Sequence, residues 1–525
     1  MEFNVADLFE SVASEIPERE ALAFNRADGT IERRTYAELD ERANRLANAL
    51  ADSGVGPGDH IGLQLYNGQE YIEGMIAAFK LRAVPINVNY RYVASELAYL
   101  FADADIKAVL SEEDLSDRVD DIVDALPLLD TVLYVGDRYE AALAAASPDR
   151  PDVGTRSGDD RYLLYTGGTT GMPKGVMWRQ EDWYFAALGG REGQHPTDIA
   201  PKAVKGSSLP RRLPLCPLMH GSAQWVVWQT FLAGGTVVLS TDRRFEAAAA
   251  LDLIANESVS LVMVVGDAVA RPIGDALDSE PARWDLSGLK VFSSGGAVLT
   301  SAVSDRIQVH VPHLRINNTF GASETGGQGR MIKGSDAEGS PRLATDGTTM
   351  VVDDNFVAIE PGSGEIGKLA RRGHIPLGYY KDEKKTAVTF PEVDGVRWSV
   401  PGDLAQVDYD GSIILLGRGS ASINTGGEKV FPEEVEGVLK SHEAIFDAYV
   451  VGVPDELYGQ RVTAVVQYRT GVEPPQDDEI VTHCRTQLSG YKVPRLWVAV
   501  EELQRLPTGK ADYRWAQDVV KASVG

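Results

Sequence analysis

The sequence predicts an α/β fold: a large N-terminal domain of parallel-rich sheets packed with helices, followed by a small α+β C-terminal domain. Strand-length and helix-length apolar patterns alternate along most of the chain, the rhythm of parallel strands joined by helical crossovers. A glycine-rich turn breaks that rhythm directly behind one strand, as anion-binding turns do. The last stretch, roughly a hundred residues, has strands of its own and is long enough for a separate small domain.

In chain order, residues 35–50 form an amphipathic helix with Leu39, Ala43, Leu46 and Leu50 on one face, Thr35 as cap and Glu38 three residues on. Residues 60–65 alternate like a strand, 71–81 read as helix, 83–88 as strand and 95–102 as helix. Further strands are expected at 107–110, 131–135 and 160–165. Residues 189–212 are rich in Gly, Pro, Lys and Arg, and read as a long surface loop after a helix that follows the glycine-rich turn. The α/β pattern resumes from Leu213, with strands at 236–239, 261–265 and 290–292 and a helix at 222–229. Residues 400–421 read as a junction marked by Pro401-Gly402 and Gly417-Arg-Gly419, and strands at 448–453 and 462–467 follow it. There is no internal repeat.

With 51 basic and 77 acidic residues, the net charge of −26 disfavours nucleic acid and anionic lipid as partners. Any polyanionic ligand must be met by local donors working against that field. Cys216 and Cys484 are the two cysteines, without metal-type spacing, so neither a disulfide framework nor a structural zinc site is expected. The N-terminus has early acids and no apolar core, and the most apolar run, 261–265, is strand length. A cytoplasmic protein without integral membrane contact is expected.

The turn itself reads Tyr165-Thr-Gly-Gly-Thr-Thr-Gly-Met-Pro-Lys-Gly175. Its glycines let backbone N–H groups converge on an anion, its threonines add hydroxyl donors, and Lys174 adds a point charge. Pro173 before the lysine and Gly175 after it exclude the Walker pattern, and the glycine spacing excludes the dinucleotide fingerprint. Six more clusters carry chemistry. Phe292-Ser-Ser-Gly-Gly-Ala-Val298 ends a strand in paired glycines that let a flat ring lie on backbone. Asn318-Thr-Phe-Gly-Ala-Ser-Glu324 puts an aromatic face, a hydroxyl and a hard carboxylate within a few residues. Trp398-Ser-Val-Pro-Gly-Asp403 ends a strand in a carboxylate suited to paired hydroxyls. Gly417-Arg418, Thr425-Gly-Gly-Glu-Lys-Val-Phe-Pro-Glu-Glu-Val-Glu436 and Leu506-Pro-Thr-Gly-Lys510 complete the set.

In this order the clusters resemble the adenylate-forming superfamily of acyl- and aryl-CoA synthetases, non-ribosomal peptide adenylation domains and luciferases. The resemblance runs from the 35–50 helix to Lys510. The segments 165–178, 378–385, 417–436 and 490–495 are most similar to actinobacterial-type long-chain and steroid-side-chain acyl-CoA ligases. The resemblance implies ATP, Mg²⁺ and coenzyme A as cofactors. A carboxylate would attack the α-phosphorus of ATP to give an acyl-adenylate and pyrophosphate, and a thiol would then displace AMP.

It also implies roles. Thr166, Gly167, Gly168, Thr169, Thr170, Gly171 and Lys174 would wrap the β- and γ-phosphates. Gly295, Gly296 and Ala297 would line the adenine and acyl pocket, Gly321 would help bind the nucleotide, Phe320 would stack on adenine, and Ser323 would touch the α-phosphate. Glu324 would bind Mg²⁺, Asp403 the ribose hydroxyls, and Arg418 would lie close to ribose and phosphate. Lys510 would bridge the substrate carboxylate and the α-phosphate, with His220 bordering that carboxylate. Trp225, Val227, Gly266, Asp267 and Val298 stand near the family's acyl-pocket positions.

Domains are expected at 1–417 and 422–525, with a hinge at 418–421 about which the smaller, mobile domain rotates between steps. Ser420 stands where relatives have Asp or Lys, and Arg82 where relatives favour glycine. A fatty or steroid-side-chain acid is the expected substrate, with an aromatic acid as the alternative. An amine or a carrier-protein thiol is the alternative acceptor, and a nucleotide-binding module without catalysis is a third reading. The remaining partner expectation is a second copy of the chain in a homodimer.

Overall fold

A computed structural model describes the chain except for residues 27, 167–172, 207–208, 298, 336–340, 346, 419–422, 426–427, 456–458, 489, 507–510 and 525, and the side chains of Arg418, Asn424, Glu428, Lys429, Gly459 and Val524. One sheet holds 15 strands. Its parallel part places Glu20–Asn25, Thr236–Leu239, Arg211–Pro214, Leu261–Val264, Val291–Gly295 and Arg315–Ala322 side by side. A second sheet is wholly parallel and joins Val84–Asn87, His60–Gln64, Ile106–Ser111 and Thr131–Tyr134.

The parallel expectation stops at Ala322. The next strand, Gly326–Met331, folds back antiparallel, and so do Arg342–Ala344, Asp403–Val407 and Ile413–Arg418 beyond it. The turn after Ala322 is too short to house a crossover helix, so only an antiparallel return is available. Before the glycine-rich turn, helix and strand assignments hold closely. The Tyr36–Asp52 helix starts behind Thr35, whose side chain accepts from Glu38 N at 3.2 Å while the Glu38 carboxylate accepts from Thr35 N at 2.8 Å.

Two expectations are corrected. The glycine-rich turn does not lead into a helix: it is followed by the strand Lys174–Arg179, which pairs antiparallel with Arg161–Thr166. Val176 and Trp178 are both fully buried there, and that period of two selects a strand. The 189–212 segment is not simply a surface loop. It contains the helix Ile199–Lys205, which buries Ile199, Ala200 and Ala203, and the first residues of the Arg211–Pro214 strand. The 400–421 junction contains strands of its own, because the Asp403–Val407 and Ile413–Arg418 hairpin belongs to the large sheet. Strands from Ile423 onward form a separate five-stranded sheet.

The largest core sits between the first helices and the Gly221–Leu232 helix. Tyr162 stacks on Trp183 with centroids 4.0 Å apart, and Phe79 and Trp228 close the cluster edge-on. Arg82 has a φ of +57°, the left-handed geometry that makes glycine the easier choice there, and its guanidinium reaches Asp160 at 2.9 Å. No helix among the described residues is long and apolar enough to cross a membrane.

In the C-terminal part, Glu436 is buried and accepts from Val450 N at 2.8 Å and from the Tyr513 hydroxyl at 3.1 Å. Burial pushes its carboxyl up from 4.5 to about 7. Between those two values the folded chain keeps a proton that the unfolded chain has released, so this group's contribution to stability falls as pH rises through that window. Glu436→Gln, which mimics the protonated form, should therefore gain on the wild type in thermal midpoint between about pH 5 and about pH 8. A gap that does not change with pH would show that Glu436 titrates normally.

Candidate active site

A cavity of about 400 Å³ opens at the C-terminal ends of the central parallel strands. Ligands of open α/β sheets bind at that edge, where strand ends and the following turns converge. Thr166, His220, Trp225, Gly295, Gly296, Phe320, Gly321 and Ser323 all line it, so residues far apart in sequence meet there. Ala297 lies one residue past Gly296, and its carbonyl accepts from the Ser294 hydroxyl at 3.0 Å, tying the turn back to its strand.

Glycine is needed at two of these positions for different reasons. Gly296 has a φ of +84°, and nothing lies within 4 Å of where a Cβ would stand, which leaves a flat, open floor. A Cβ on Gly321 would come 2.3 Å from the Gly326 carbonyl, so only glycine lets the two strands close around the Ser323–Glu324 turn. Phe320 faces the cavity and also packs on the Leu343 and Leu415 cluster, so its ring is held from behind.

The phosphate-loop residues Gly167, Gly168, Thr169, Thr170 and Gly171 lie outside the described residues, as do Val298, Ser420 and Lys510. The two ends of that loop are described. Thr166 and Lys174 are register partners at the open end of the hairpin, so the loop is clamped at its base. Asn87 braces the same point: its side chain accepts from Tyr165 N at 2.7 Å and donates to the Tyr165 carbonyl at 2.8 Å and the Met219 carbonyl at 2.7 Å. One buried amide thus ties the loop's entry to the turn that carries His220. His220 caps the Gly221–Leu232 helix, its carbonyl accepting from Ala223 N at 3.2 Å and its ring lining the cavity.

Two residues that sequence reasoning missed sit on one short segment. The Gly378–Tyr379 strand pairs with Val176 and Met177, extending the phosphate-loop hairpin. From it, Asp382 forms an ion pair with Lys174 and also caps the Glu383–Thr389 helix by accepting from Lys385 N at 2.9 Å. The Lys174 ammonium holds the Asp382 carboxyl below its ordinary range. The Tyr379 hydroxyl donates to Glu324 Oε1 at 3.0 Å, and the Ser399 hydroxyl donates to the Glu324 carbonyl at 2.6 Å. Lys174 is therefore not the lone charge its sequence context suggests. The same segment touches both the loop lysine and the Glu324 carboxylate.

The donor set suits a nucleotide with magnesium. Glu324 offers one hard carboxylate, and among the described residues no group of three His, Cys, Asp or Glu side chains is placed to hold a metal ion by itself. That fits an ion that takes most of its ligands from phosphates and water. Asp403 is buried and begins the Asp403–Val407 strand, rather than ending the one before it. Its register partner is Arg418, the last residue of Ile413–Arg418, so the backbones of the two predicted site residues lie side by side in one hairpin.

Not all pocket candidates converge. Gly266 is buried at the start of the Gly266–Ser279 helix, where its N–H donates to Ser294 Oγ at 2.9 Å. Asp267 accepts from Thr300 N at 2.8 Å and pairs with Arg271 at 2.8 Å. Val227 is buried in the main core. None of the three is among the described residues that line the cavity, and each has a packing or capping role instead. The cavity's apolar wall comes from Leu164, Val226, Leu261, Met263 and Val265.

Comparison with known proteins places this geometry. Residues 9–380 match the AMP-binding enzyme family, and residues 434–510 match the AMP-binding enzyme C-terminal domain. The chain is 47% identical over 541 residues to a 3-oxocholest-4-en-26-oate–CoA ligase of Rhodococcus rhodochrous, covering 99% of this chain and 96% of the relative. It is 44% identical to a medium/long-chain-fatty-acid–CoA and 3-oxocholest-4-en-26-oate–CoA ligase of Mycolicibacterium smegmatis, covering 99% and 97%. Among solved structures, a Mycobacterium tuberculosis fatty acyl CoA synthetase superposes with a TM-score of 0.72 at 25% identity, covering 99% of both chains. An anthranilate CoA ligase bound to anthranoyl-AMP shares the fold, with a TM-score of 0.84 at 23% identity over 99% and 98% of the two chains. The chain belongs to the AMP-binding enzyme family.

Proposed function

We propose that the chain is an AMP-forming acid–thiol ligase. It activates a carboxylic acid with ATP to an acyl-adenylate and pyrophosphate, then passes the acyl group to coenzyme A, releasing AMP. The observation that carries this reading is the cavity. Its lining brings Thr166, Gly295, Gly296, Phe320 and Ser323 together with His220 and with apolar side chains such as Leu164, Val226 and Met263. A charged nucleotide and an apolar acid are thereby brought to one point, which lowers the entropic cost of their reaction.

The chain's residues divide the work. Thr166 and Lys174 hold the phosphates that leave, Glu324 takes the magnesium, and Phe320 with Gly295 and Gly296 seats the base. Asp403 and Arg418 hold the ribose, and Lys510 stabilises charge on the α-phosphate as the carboxylate attacks. Magnesium, when bound, neutralises phosphate charge. After adenylation the C-terminal part turns about residues 418–421, which replaces Lys510 with the 425–431 loop for thiol attack.

The acid is a fatty or steroid-side-chain acid. The apolar wall and the names of the two relatives support that choice. A cytoplasmic location follows from the use of ATP and coenzyme A. A homodimer is the further expectation, and light scattering checks it by a mass near two chains rather than one.

A panel of carboxylic acids tests the reaction, read by pyrophosphate release with and without coenzyme A. Thioester formation is expected with a bulky apolar acid. Pyrophosphate release with no use of coenzyme A by any acid would refute the ligase reading. Within this scheme Lys174→Ala should raise KM for ATP about tenfold, the effect of losing one charged contact. The same variant given preformed acyl-adenylate should still make acyl-CoA, and failure there would show that Lys174 also serves the second step.

A further inference from the structure

The glycine turn that lines the cavity is tied to the start of the Gly266–Ser279 helix. Gly266 N donates to Ser294 Oγ at 2.9 Å, and the Ser294 hydroxyl donates in turn to the Ala297 carbonyl at 3.0 Å. One residue on, the Asp267 carboxylate accepts from Thr300 N at 2.8 Å and from the Thr300 hydroxyl at 2.9 Å. Asp267 also pairs at 2.8 Å with Arg271, one helical turn further along the same face. Arg271 is buried, and its guanidinium carbon lies 5.5 Å from the centroid of the Phe446 ring. Phe446 belongs to the Ile445–Asp455 strand of the C-terminal sheet. A chain of contacts therefore runs from the cavity to the C-terminal part.

A second approach lies beside the first. Arg469, just after the Gly459–Tyr468 strand, donates to the Glu443 carbonyl at 2.8 Å. Burial and the nearby Arg271 and Arg306 charges push its guanidinium below its ordinary value. Arg306, on the Ser301–His310 helix, pairs at 2.6 Å with Asp275 of the Gly266–Ser279 helix. Phe446 and Arg469 thus meet the side chains of two helices of the large domain.

Which end of the C-terminal sheet makes this contact decides its meaning. Asp447, next to Phe446, pairs with Arg505, and Arg505 forms a bridge with Ala511. Gln467 Oε1 accepts from Leu503 N at 3.1 Å at the same end. These described residues flank Lys510 in sequence on both sides. The far end of the strand, Asp455, pairs with Gly459, whose other partner is Thr425 at the start of the 425–431 loop. Nine residues separate Phe446 from Asp455, about 30 Å at a rise near 3.3 Å per residue. The end that meets the helices is the one holding the neighbours of Lys510.

We infer that Arg271 and Phe446 form the seat on which the C-terminal part docks for the adenylation step, and that Asp267 links this seat to the nucleotide turn. Both are positioning residues, and neither touches the reacting atoms. Resting on the ligase reading, this inference names the contact that favours one orientation of the smaller domain. A nucleotide that orders the Gly295–Ala297 turn and a docked C-terminal part then favour each other, since coupling between two sites is reciprocal.

The test separates the half-reactions in the full chain. Phe446→Ala should lower kcat for pyrophosphate exchange about five- to thirtyfold, the worth of one desolvated cation–aromatic contact. Thioester formation from preformed acyl-adenylate and coenzyme A should be unchanged or faster. Phe446→Tyr, which keeps a ring face, should restore exchange. Phe446→Leu, which keeps apolar bulk without a ring, should behave like Phe446→Ala, and it carries the test if the alanine variant does not fold. Thr300→Val, which removes one donor to Asp267, should lower exchange about threefold. Its effect should shrink when Phe446 is already replaced, as it does for coupled sites. Losses that simply multiply overturn the link through Asp267. Equal loss in both half-reactions, unchanged exchange, or loss confined to thioester formation overturns the seat. If the wild type shows no pyrophosphate exchange with any acid, the ligase reading falls and takes the inference with it.

Discussion

Lys510→Ala should lower acyl-adenylate formation about 10²- to 10³-fold, the loss typical of removing one preorganised donor from a developing charge. Pyrophosphate exchange with a saturating acid measures it. ATP binding should persist, because Lys510 acts on charge that grows in the transition state rather than on the bound nucleotide. Lys510 itself lies outside the described residues, but the chain on both sides is pinned. Arg505 and Ala511 form an antiparallel bridge, and Arg505 pairs with Asp447 on the Ile445–Asp455 strand. The Tyr513 hydroxyl donates to Glu436 at 3.1 Å. The described residues that flank it in sequence are therefore held at fixed points. Thioester formation from added acyl-adenylate should survive in Lys510→Ala. Equal loss of both half-reactions would assign Lys510 a structural role.

Glu324→Gln should have the second-largest effect, a fall of about 10²-fold in adenylation at moderate magnesium. Glutamine keeps the shape but removes the charge and one strong acceptor. The Tyr379 hydroxyl, which donates to Glu324 at 3.0 Å, orients the carboxylate and is not itself a ligand. Tyr379→Phe should therefore cost less, about threefold to tenfold, because it removes one orienting hydrogen bond and leaves the carboxylate in place. A magnesium titration read by pyrophosphate release separates the two. Glu324→Gln should move the midpoint strongly and Tyr379→Phe weakly. Identical shifts would mean that Tyr379 meets the ion or its water directly.

Local rules made much of this molecule legible before any coordinates. The Thr35 cap, the 60–65 strand and the paired glycines after Ser294 are each set by neighbours a few residues away, and each appears where its pattern puts it. What failed was set by distant partners. Lys174 meets Asp382 across 208 residues, and nothing near Lys174 announces that pair. Tyr379 reaches Glu324 across 55 residues in the same way. The Ile199–Lys205 helix was hidden because its buried face uses only Ile199 and two alanines among lysines. Arg82 holds a left-handed backbone and meets Asp160, a partner 78 residues away. Gly266 and Val227 lie near pocket residues in sequence, yet their elements turn them into the core.

The central claim is that the carboxylate attacks the α-phosphorus of ATP, and one measurement bears on it directly. An acid labelled with ¹⁸O in its carboxylate is turned over with ATP, magnesium and coenzyme A, and the phosphorus products are analysed by mass spectrometry. The bond formed in the first step joins a carboxylate oxygen to the α-phosphorus, and thiol attack on the carbonyl then leaves that oxygen on AMP. The account predicts one ¹⁸O in AMP and none in pyrophosphate. Label in inorganic phosphate with ADP as co-product, or unlabelled AMP, would contradict it.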